Sequence, residues 1–384
     1  MDWRTRLLHT KPELPDNFDA LASATYRGST VAFPNVAGIR DGWRQSEVGF
    51  TYGLYGTPTA MELAKRIAAM EGAKHTFLAS SGQGAIALVD LAFTKAGDHV
   101  LIPRSAYGPN VEAARNLLAK YGIEFDLYDP MIGGGIAALI RENTTLIWCE
   151  SPGSITMEVQ DVPAIVAAAH ARGVVVAIDN TYAAGVLFDA FAHGVDVSVQ
   201  ALTKYVGGHS DLLLGSISVA TDDAYERVGA MHRTLGMNVS PDDCSLALRG
   251  LQTLAVRLEK LERSALEIAR WLADRDAVDI VLHPALPSCT GHEIWKRDFT
   301  GSASVFSFLF SPRYSVEQVH AFVDRLKLFR LGWSWGGVHS LVLVYPTLTR
   351  IDANHQGRLV RLNIGLEEPA DLIADLQSSL YQLG

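Results

Sequence analysis

The sequence predicts an α/β protein built on a mainly parallel β-sheet, and two observations support that prediction. Between residues 59 and 218, short apolar runs alternate with longer segments in which apolar residues recur at helical spacing. Several runs, such as 174–178, are apolar at every position rather than at alternate positions. Strands of a parallel sheet are covered on both faces, so they have this uninterrupted apolar character.

Local patterns predict the elements in order. Thr59 and Glu62 form a capping-box pattern that predicts the start of the first helix of this region, and Gly72 predicts its end. Further helices are expected from Gly84, Asn110 and Asp161. Strands are expected at 75–79, 99–103, 123–127, 145–149, 174–178, 195–200 and 212–218.

The pattern changes near residue 243. A long amphipathic helix is expected at 245–274, followed by strands at 304–310 and 340–344, which indicates a smaller α+β unit. Residues 1–56 show no sustained period and are too apolar for a solvated tail. We therefore expect three parts: an N-terminal arm at 1–56 that contacts a neighbouring subunit, a large α/β domain at 57–243, and a C-terminal α+β domain at 244–384.

Composition excludes several classes of protein. The chain has 33 basic and 42 acidic residues, a net charge of −9 and no basic cluster, so no nucleic-acid partner is expected. Its apolar runs are too short to span a bilayer and its N-terminus is unlike a signal peptide, so no membrane association is expected. The widely spaced Cys149, Cys244 and Cys289 are typical of a reducing compartment, which predicts a cytoplasmic enzyme. Because His283, Cys289 and His292 lack a fourth ligand, no metal site is expected.

Two charged residues follow neighbouring predicted strands. Asp179 comes directly after the strand at 174–178, and Lys204 follows the strand at 195–200. Ligands bind beyond the carboxyl ends of parallel strands. A lysine that can bond to an aldehyde, and a carboxylate that can pair with a pyridinium nitrogen, meet the needs of pyridoxal 5'-phosphate (PLP). A partly buried ion pair at the sheet edge explains the same two residues equally well.

The segment Ser80-Ser-Gly-Gln-Gly84 lies between a predicted strand and a predicted helix. Backbone N–H groups at a helix start, beside hydroxyl groups, can bind a phosphate. A plain strand–helix turn is the simpler interpretation. Gly82 and Gly84 also match the dinucleotide fingerprint, with Arg104 available for a 2'-phosphate, although no carboxylate for a ribose follows the next strand.

Arg361 interrupts an otherwise apolar, strand-like segment. An arginine in such a setting needs an anionic partner, which is either a substrate carboxylate or an internal carboxylate. The nearby Trp333-Ser-Trp-Gly-Gly337 segment could line a pocket or fill a core.

Nine segments in chain order then identify a family. They are Tyr52-Gly-Leu-Tyr-Gly-Thr-Pro-Thr59, Ser80-Ser-Gly-Gln83, Ala106-Tyr-Gly108, Asp179-Asn-Thr-Tyr182, Thr203-Lys-Tyr205, Gly207-Gly-His-Ser-Asp211, residues 291–301, Ser334-Trp-Gly-Gly337 and Arg361-Leu-Asn-Ile-Gly365. Together they resemble the Cys/Met-metabolism family of PLP-dependent enzymes over essentially the whole chain. The resemblance implies the PLP-dependent transferase-like fold of type I, with PLP bound in the large domain.

The resemblance also implies roles for matching residues around the cofactor. Lys204 would hold PLP and later move protons, Asp179 would pair with the pyridinium nitrogen, and Tyr107 would stack on the ring. The phosphate would be bound by the N–H groups of Gly82 and Gln83 together with Thr203.

Further implied roles concern the substrate and a second subunit. Arg361, with Ser334 and Trp335 near it, would bind the substrate α-carboxylate. Tyr52 would reach the cofactor phosphate of a neighbouring subunit and take part in catalysis there. The active site would then need a homo-oligomer, and the family usually forms a tetramer built from two dimers.

The chain departs from the family pattern at two positions. Leu54 stands where relatives usually carry a phosphate-binding arginine, and Ala201 stands where they commonly carry a serine. Both changes should weaken phosphate binding unless Arg40, Arg44 or Tyr55 compensates.

The segments around Trp335 and at 295–301 resemble the β-lyase branch of the family. This implies a carbon–sulfur lyase that converts L-cystathionine to homocysteine, pyruvate and ammonia and also acts on cystine or related S-substituted cysteines. A γ-lyase, a cystathionine γ-synthase or an O-acetylhomoserine sulfhydrylase is the alternative within the family. Alternatives from other classes are a nicotinamide-dependent oxidoreductase and a catalytically silent PLP-fold protein.

Overall fold

A computed structural model describes residues 2–9, 20–345 and 357–383. The first of two sheets contains β1 (His75–Ala79), β2 (His99–Pro103), β3 (Glu124–Tyr128), β4 (Thr144–Glu150), β5 (Val175–Asp179), β6 (Val197–Ala201) and β7 (Gly215–Val219). Their spatial order is β1-β7-β6-β5-β4-β2-β3. The neighbouring pairs β3–β2, β2–β4, β4–β5 and β5–β6 are parallel, whereas β7 runs antiparallel to β6 and β1. The expected mainly parallel sheet is confirmed.

Helices cover both faces of this sheet. In chain order they are α1 (Trp3–His9), α2 (Gln45–Val48), α3 (Pro58–Glu71), α4 (Gly82–Phe93), α5 (Gly108–Ala113), α6 (Val162–His170), α7 (Asp222–Leu235), α8 (Pro241–Gln252) and α9 (Leu254–Ala273). Successive residues of β5 alternate between two cores. Ile178 packs with α3 and α6 on one face, and Ala177 packs with α4 and α7 on the other. This double covering explains the uninterrupted apolar runs of the sequence.

The second sheet contains β8 (Val278–Leu282), β9 (Val305–Phe310), β10 (Arg330–Leu331), β11 (Leu341–Tyr345) and β12 (Leu359–Asn363), in the order β10-β11-β12-β9-β8. It is accompanied by α10 (His292–Asp298), α11 (Val316–Asp324) and α12 (Pro369–Tyr381). Phe306, Phe308 and Leu362 face a core shared with α9, α11 and α12. Arg361 pairs with Ser307 across the strands and lies on the opposite face from Leu362, because strand side chains alternate.

The predicted cap of α3 was wrong. Thr57, not Thr59, caps this helix by accepting a hydrogen bond from the N–H of Ala60, and Pro58 occupies a first-turn position where no N–H is needed. Thr59 lies inside the helix, where its hydroxyl donates to the Ala24 carbonyl at 3.0 Å and accepts from the Tyr26 N–H at 2.8 Å. This hydroxyl therefore fastens the arm to the helix.

The single helix expected at 245–274 was also wrong. It is divided into α8 and α9 at Thr253. The buried Arg257 guanidinium donates to the Gly250 carbonyl at 2.7 Å and to the Tyr205 carbonyl at 2.6 Å, so it binds one of the carbonyls at the end of α8. The proposed boundary between residues 243 and 244 falls inside α8. The limits of the three parts remain predictions. The helix α1 lies in a region where no helix was expected.

None of the described helices is long and apolar enough to cross a membrane. Within the described ranges, no group of three or more His, Cys, Asp or Glu side chains is arranged to bind a metal ion. The three cysteines are buried and unpaired.

A buried carboxyl group lies beneath the first sheet, at the end of α3. Glu71 accepts a hydrogen bond from the Gln200 side chain on β6 and a second, at 3.2 Å, from the Ser218 hydroxyl on β7. Burial raises the pKa of Glu71 from 4.5 to about 7, although these hydrogen bonds act in the opposite direction. The folded protein therefore retains a proton here that the unfolded chain releases.

We expect Glu71→Gln to make stability less dependent on pH. Because the folded pKa lies above the unfolded one, Glu71 reduces stability progressively from pH 4.5 to about 7. Above pH 7 the full effect is a loss of roughly 3 kcal/mol from the free energy of unfolding. Urea unfolding at about pH 5 and about pH 8 should show the variant gaining stability, relative to the natural chain, mainly at the higher pH. The exposed Glu142→Gln is the control. An equal gain at both pH values would contradict the account.

Candidate active site

A cavity of about 510 Å³ lies at the carboxyl ends of β5 and β6 and is also lined by residues of the second sheet. We call it the Lys204 cleft. Nine of the predicted site residues line it: Gly82, Gln83, Tyr107, Asp179, Thr203, Lys204, Ser334, Trp335 and Arg361. Tyr52 does not line it and instead lines a separate cavity of about 340 Å³ together with Leu54. The fold thus brings together residues that are far apart in sequence.

Parallel pairing of β5 and β6 places Asp179 and Lys204 at the same sheet edge. Asp179 ends β5 opposite Val199, and Lys204 lies three residues beyond the end of β6. The Asp179 carboxylate accepts a hydrogen bond from the Thr181 N–H at 3.0 Å, and the Lys204 Nζ donates to the Ser334 Oγ at 2.6 Å. The two charged groups form no ion pair within 4.0 Å, so the simple ion-pair interpretation was wrong.

The cleft changes the proton affinity of both groups. Burial, and after it the charge of Arg361, lowers the pKa of Lys204 from 10.5 to about 8, although Asp179 acts in the opposite direction. Burial raises the pKa of Asp179. A lysine of this kind is partly uncharged near neutral pH, which makes its nitrogen available as a nucleophile and as a base.

The start of α4 provides a cradle for an anion. Ser81 caps the helix by accepting from the Gly84 N–H at 3.0 Å, and its carbonyl accepts from the Ala85 N–H. The N–H groups of Gly82 and Gln83 have no hydrogen-bond partner among the described residues. The helix begins at Gly82 rather than at Gly84 as predicted, so these two N–H groups lie at the positive end of the helix.

Gly82 has no room for a side chain. A Cβ atom there would lie 2.7 Å from the Cβ of Ala201 and 3.1 Å from its Cα. Ala201 offers no hydroxyl to a phosphate, and its N–H donates to the Thr181 Oγ1 at 2.8 Å. The cradle fits a phosphate through backbone N–H groups, packed closely against the end of β6.

Thr203 is less free than the resemblance suggests. Its hydroxyl donates to the Leu214 carbonyl at 3.2 Å and accepts from the Leu214 N–H at 3.0 Å. To donate to a phosphate, the hydroxyl must turn its proton away from Leu214. Its role as a phosphate ligand stays a prediction.

Arg361 is a buried cation in the wall of the cleft. Its guanidinium donates to the Ser334 carbonyl at 3.0 Å and lies 5.6 Å from the centre of the Tyr345 ring. It has no carboxylate partner within 4.0 Å in the described ranges, so the internal salt-bridge interpretation was wrong. Burial lowers the pKa of Arg361. A buried guanidinium without a counter-charge favours an incoming carboxylate.

The turn at 334–336 lies between β10 and β11 of the second sheet and contacts Lys204, which follows β6 of the first sheet. Ser334 and Gly336 have φ angles of +76° and +81°. The Trp335 ring packs 5.3 Å from the Tyr205 ring, and the Lys204 Nζ lies 5.4 Å from the centre of the Trp335 ring. Trp335 is therefore both a packing residue and a wall of the site, and the two interpretations of this segment are not exclusive.

Tyr107 lies at the mouth of the cleft and is half exposed. Its backbone N–H donates to the Glu150 carboxylate at 2.5 Å. Burial, and after it the charges of Asp179 and Glu150, raises the pKa of the Tyr107 hydroxyl. Trp333, which belongs to the segment that could line a pocket, also lines the cleft, whereas sequence reasoning missed Glu150 and Tyr345. Glu150 ends β4, so the strand-end rule could have found it.

The arm places Tyr52 away from the Lys204 cleft of its own chain. Tyr52 forms a β-bridge with Thr30, and its side chain is 48% exposed. None of the three residues suggested as substitutes for the missing arginine lines the cleft of this chain, and Arg44 instead pairs with Glu226. The role of Tyr52 at a neighbouring subunit stays a prediction, and so does compensation for Leu54 by Arg40, Arg44 or Tyr55.

This geometry defines a class of protein: an enzyme with a buried reactive lysine, a carboxylate at the neighbouring strand end and a helix N-terminus suited to a phosphate. Comparisons with known proteins agree with that class. A family model described as "Cys/Met metabolism PLP-dependent enzyme" matches residues 4–381. Cystathionine beta-lyase from Escherichia coli is 39% identical over 388 residues, covering 99% of this chain and 98% of the relative.

Two further comparisons support the same family. Cystathionine beta-lyase from Bordetella avium is 40% identical over 361 residues, covering 92% of this chain and 90% of the relative. A crystal structure of cystathionine gamma synthase from Xanthomonas oryzae superposes with a TM-score of 0.92 at 28% identity, covering 100% of this chain and 98% of that one. The chain belongs to the Cys/Met-metabolism family of PLP-dependent enzymes and has its type I fold. The nicotinamide interpretation of Gly82 and Gly84 was wrong.

We expect Gly82→Ala to weaken PLP binding, because its methyl group would collide with Ala201 and move the two free N–H groups. The dissociation constant, measured by fluorescence titration of the apoenzyme with PLP, should rise by about tenfold or more. A tenfold rise corresponds to a loss of ~1.4 kcal/mol of binding free energy. Gly134→Ala is a matched control because it lies outside the cleft and a Cβ atom there would be 4.0 Å from the nearest atom. Unchanged affinity in Gly82→Ala would show that the cradle does not bind the cofactor.

Proposed function

We propose that this enzyme cleaves the Cβ–S bond of L-cystathionine by β-elimination and, with water, yields homocysteine, pyruvate and ammonia. The observation that carries the proposal is that one cleft holds Lys204, Asp179 and Arg361, whose guanidinium has no carboxylate partner within 4.0 Å in the described ranges. Relatives at 39–40% identity are named cystathionine beta-lyase, which favours this reaction. S-substituted cysteines such as cystine fit the same chemistry.

When bound, PLP supplies an electron sink for the electron pair left on Cα after its proton is removed. Lys204 would hold the cofactor, and its amine, when free, would remove the Cα proton of the substrate. A pKa of about 8 suits a base that works near neutral pH. Asp179 pairs with the pyridine nitrogen and keeps a proton on that atom.

The remaining residues bind and orient. Arg361 binds the α-carboxylate through its planar guanidinium, and the Trp335 ring limits how the carboxylate-bound substrate can turn. Tyr107 stacks on the cofactor ring. Gly82, Gln83 and Thr203 bind the phosphate, with Thr203 contributing only if its hydroxyl turns away from Leu214.

We further propose that the enzyme works as a homo-oligomer, a tetramer built from two dimers, in the cytoplasm. The exposure of Tyr52 outside the cleft of its own chain supports a role at the phosphate of a neighbouring subunit. The three buried free cysteines are consistent with a reducing compartment.

Incubation of the holoenzyme with L-cystathionine, followed by mass spectrometry of the ketoacid, tests the reaction. We expect pyruvate together with homocysteine. Release of 2-oxobutyrate with cysteine would instead assign a γ-lyase, the alternative within the family.

We expect Lys204→Ala to abolish turnover, because both the cofactor attachment and the base are lost. The variant should still fold, since removing a buried amine relieves its desolvation cost. Circular dichroism checks folding, and the rate of pyruvate release measures activity. A folded Lys204→Ala enzyme with a normal rate would disprove the assigned chemistry.

A further inference from the structure

Asn363 lies two residues beyond Arg361 on β12, so both side chains lie on the same face of the second sheet. We propose that Asn363 is a positioning residue that holds the Ser334–Gly336 turn against Lys204. It does not line the Lys204 cleft itself. The inference rests on the proposed roles of Lys204 and Arg361.

The turn adopts a backbone conformation that needs external support. Ser334 has a φ of +76°, a region that residues other than glycine rarely adopt. The Arg361 guanidinium donates to the Ser334 carbonyl at 3.0 Å, and the Asn363 Oδ1 accepts from the Gly336 N–H at 2.8 Å. Two neighbouring residues on one face of β12 therefore hold the two ends of a three-residue turn.

The same turn also contacts Lys204. The Ser334 Oγ accepts from the Lys204 Nζ at 2.6 Å. A Cβ atom on Gly336 would lie 3.1 Å from the backbone carbon of Lys204, so the turn packs directly on the lysine backbone. A small displacement of the turn would change the position of the lysine amine and of the Arg361 site together.

Asn363 is also linked to the residue that follows Lys204. Its Oδ1 accepts a second hydrogen bond from the Ser304 Oγ at 2.8 Å, and its Nδ2 donates to the His339 carbonyl at 3.0 Å. The Ser304 N–H donates to the Tyr205 hydroxyl at 2.9 Å. Asn363, Ser304 and Tyr205 are each at most 1% exposed. In such a buried network, losing one member leaves its partners unpaired at a high free-energy cost.

The far end of this network is fixed as well. The carbonyl of Tyr205 accepts from the Arg257 guanidinium at 2.6 Å. The Tyr205 residue is thus held at its hydroxyl by Ser304 and at its carbonyl by Arg257. Replacing Asn363 by alanine would leave the Gly336 N–H without its acceptor and the His339 carbonyl without its donor, and would release the turn. The Ser304 hydroxyl can still bond to the Tyr205 hydroxyl at 2.9 Å, so Tyr205 stays in place.

The adjacent Leu362 offers a matched control. It is fully buried on the same strand, but it packs into the apolar core on the opposite face of the sheet. Leu362→Ala should destabilise the fold by removing apolar packing, without touching the turn. A purely structural role for Asn363 would give both alanine variants the same kinetic behaviour.

The test compares holoenzyme variants by kcat and KM for L-cystathionine, with folding checked by circular dichroism. Asn363→Ala should raise KM and lower kcat, reducing kcat/KM by about tenfold or more, since small misplacement of reacting groups has effects of this order. Leu362→Ala should leave both constants within about twofold while lowering Tm. The double variant Ser334→Ala/Asn363→Ala should lose less kcat/KM than the product of the two single fold-losses. In Ser334→Ala/Leu362→Ala the fold-losses should multiply, as expected for independent sites.

Unchanged kinetics in Asn363→Ala, full additivity with Ser334→Ala, or an equal kinetic loss in Leu362→Ala would overturn the inference. Should Asn363→Ala fail to fold, Ser304→Ala removes only one hydroxyl and should give a smaller loss that is again non-additive with Ser334→Ala. Lys204→Ala and Arg361→Ala distinguish a failure of this inference from a failure of the proposed function. If these variants lose activity and Asn363→Ala does not, only the inference fails; if they keep activity, the proposed function fails.

Discussion

The site depends on the parallel pairing of β5 with β6. Parallel neighbours end at the same edge of a sheet, so the pairing places Asp179 and the turn that carries Lys204 side by side. Helices on both faces bury this edge, and burial lowers the pKa of Lys204 to about 8 and raises the pKa of Asp179. The fold thereby keeps a nucleophilic amine and a carboxylate close together without an ion pair that would neutralise both.

The second sheet adds a buried positive charge. Arg361 faces the same cleft, and its charge contributes to the lowered pKa of Lys204. Asp179 offsets part of this effect on Lys204. Arg361 has no carboxylate partner within 4.0 Å in the described ranges, so its guanidinium suits a substrate carboxylate. The N-terminus of α4 suits the phosphate of a cofactor.

Much of this arrangement could be predicted from the sequence, because it follows local rules. Uninterrupted apolar runs predicted the strands, and the strand-end rule predicted that Asp179 and Lys204 lie together. Family motifs then predicted nine of the residues that line the cleft. The cap of α3 was missed because Thr57 and Thr59 both offer a hydroxyl and the capping-box spacing favoured Thr59. Pro58, which is favoured in the first turn of a helix, was the local signal for Thr57.

The remaining features depend on contacts between distant parts of the chain. At the break between α8 and α9, Arg257 bonds to the Gly250 carbonyl and to the distant Tyr205 carbonyl, and no local pattern contains the second contact. The bond from Lys204 to Ser334 joins residues 130 positions apart. In the sequence, Asn363 is one residue of a mostly apolar predicted strand. Its positioning role is inferred from its hydrogen bonds to Gly336 and Ser304, which are distant in sequence.

The central claim is that PLP is attached to Lys204 in this cleft. The most direct measurement is to reduce the holoenzyme with sodium borohydride, digest it and locate the pyridoxyl group by peptide mass spectrometry. The account predicts a stoichiometric label on the peptide that contains Lys204. A label on another lysine, or no label in enzyme saturated with PLP, would contradict it.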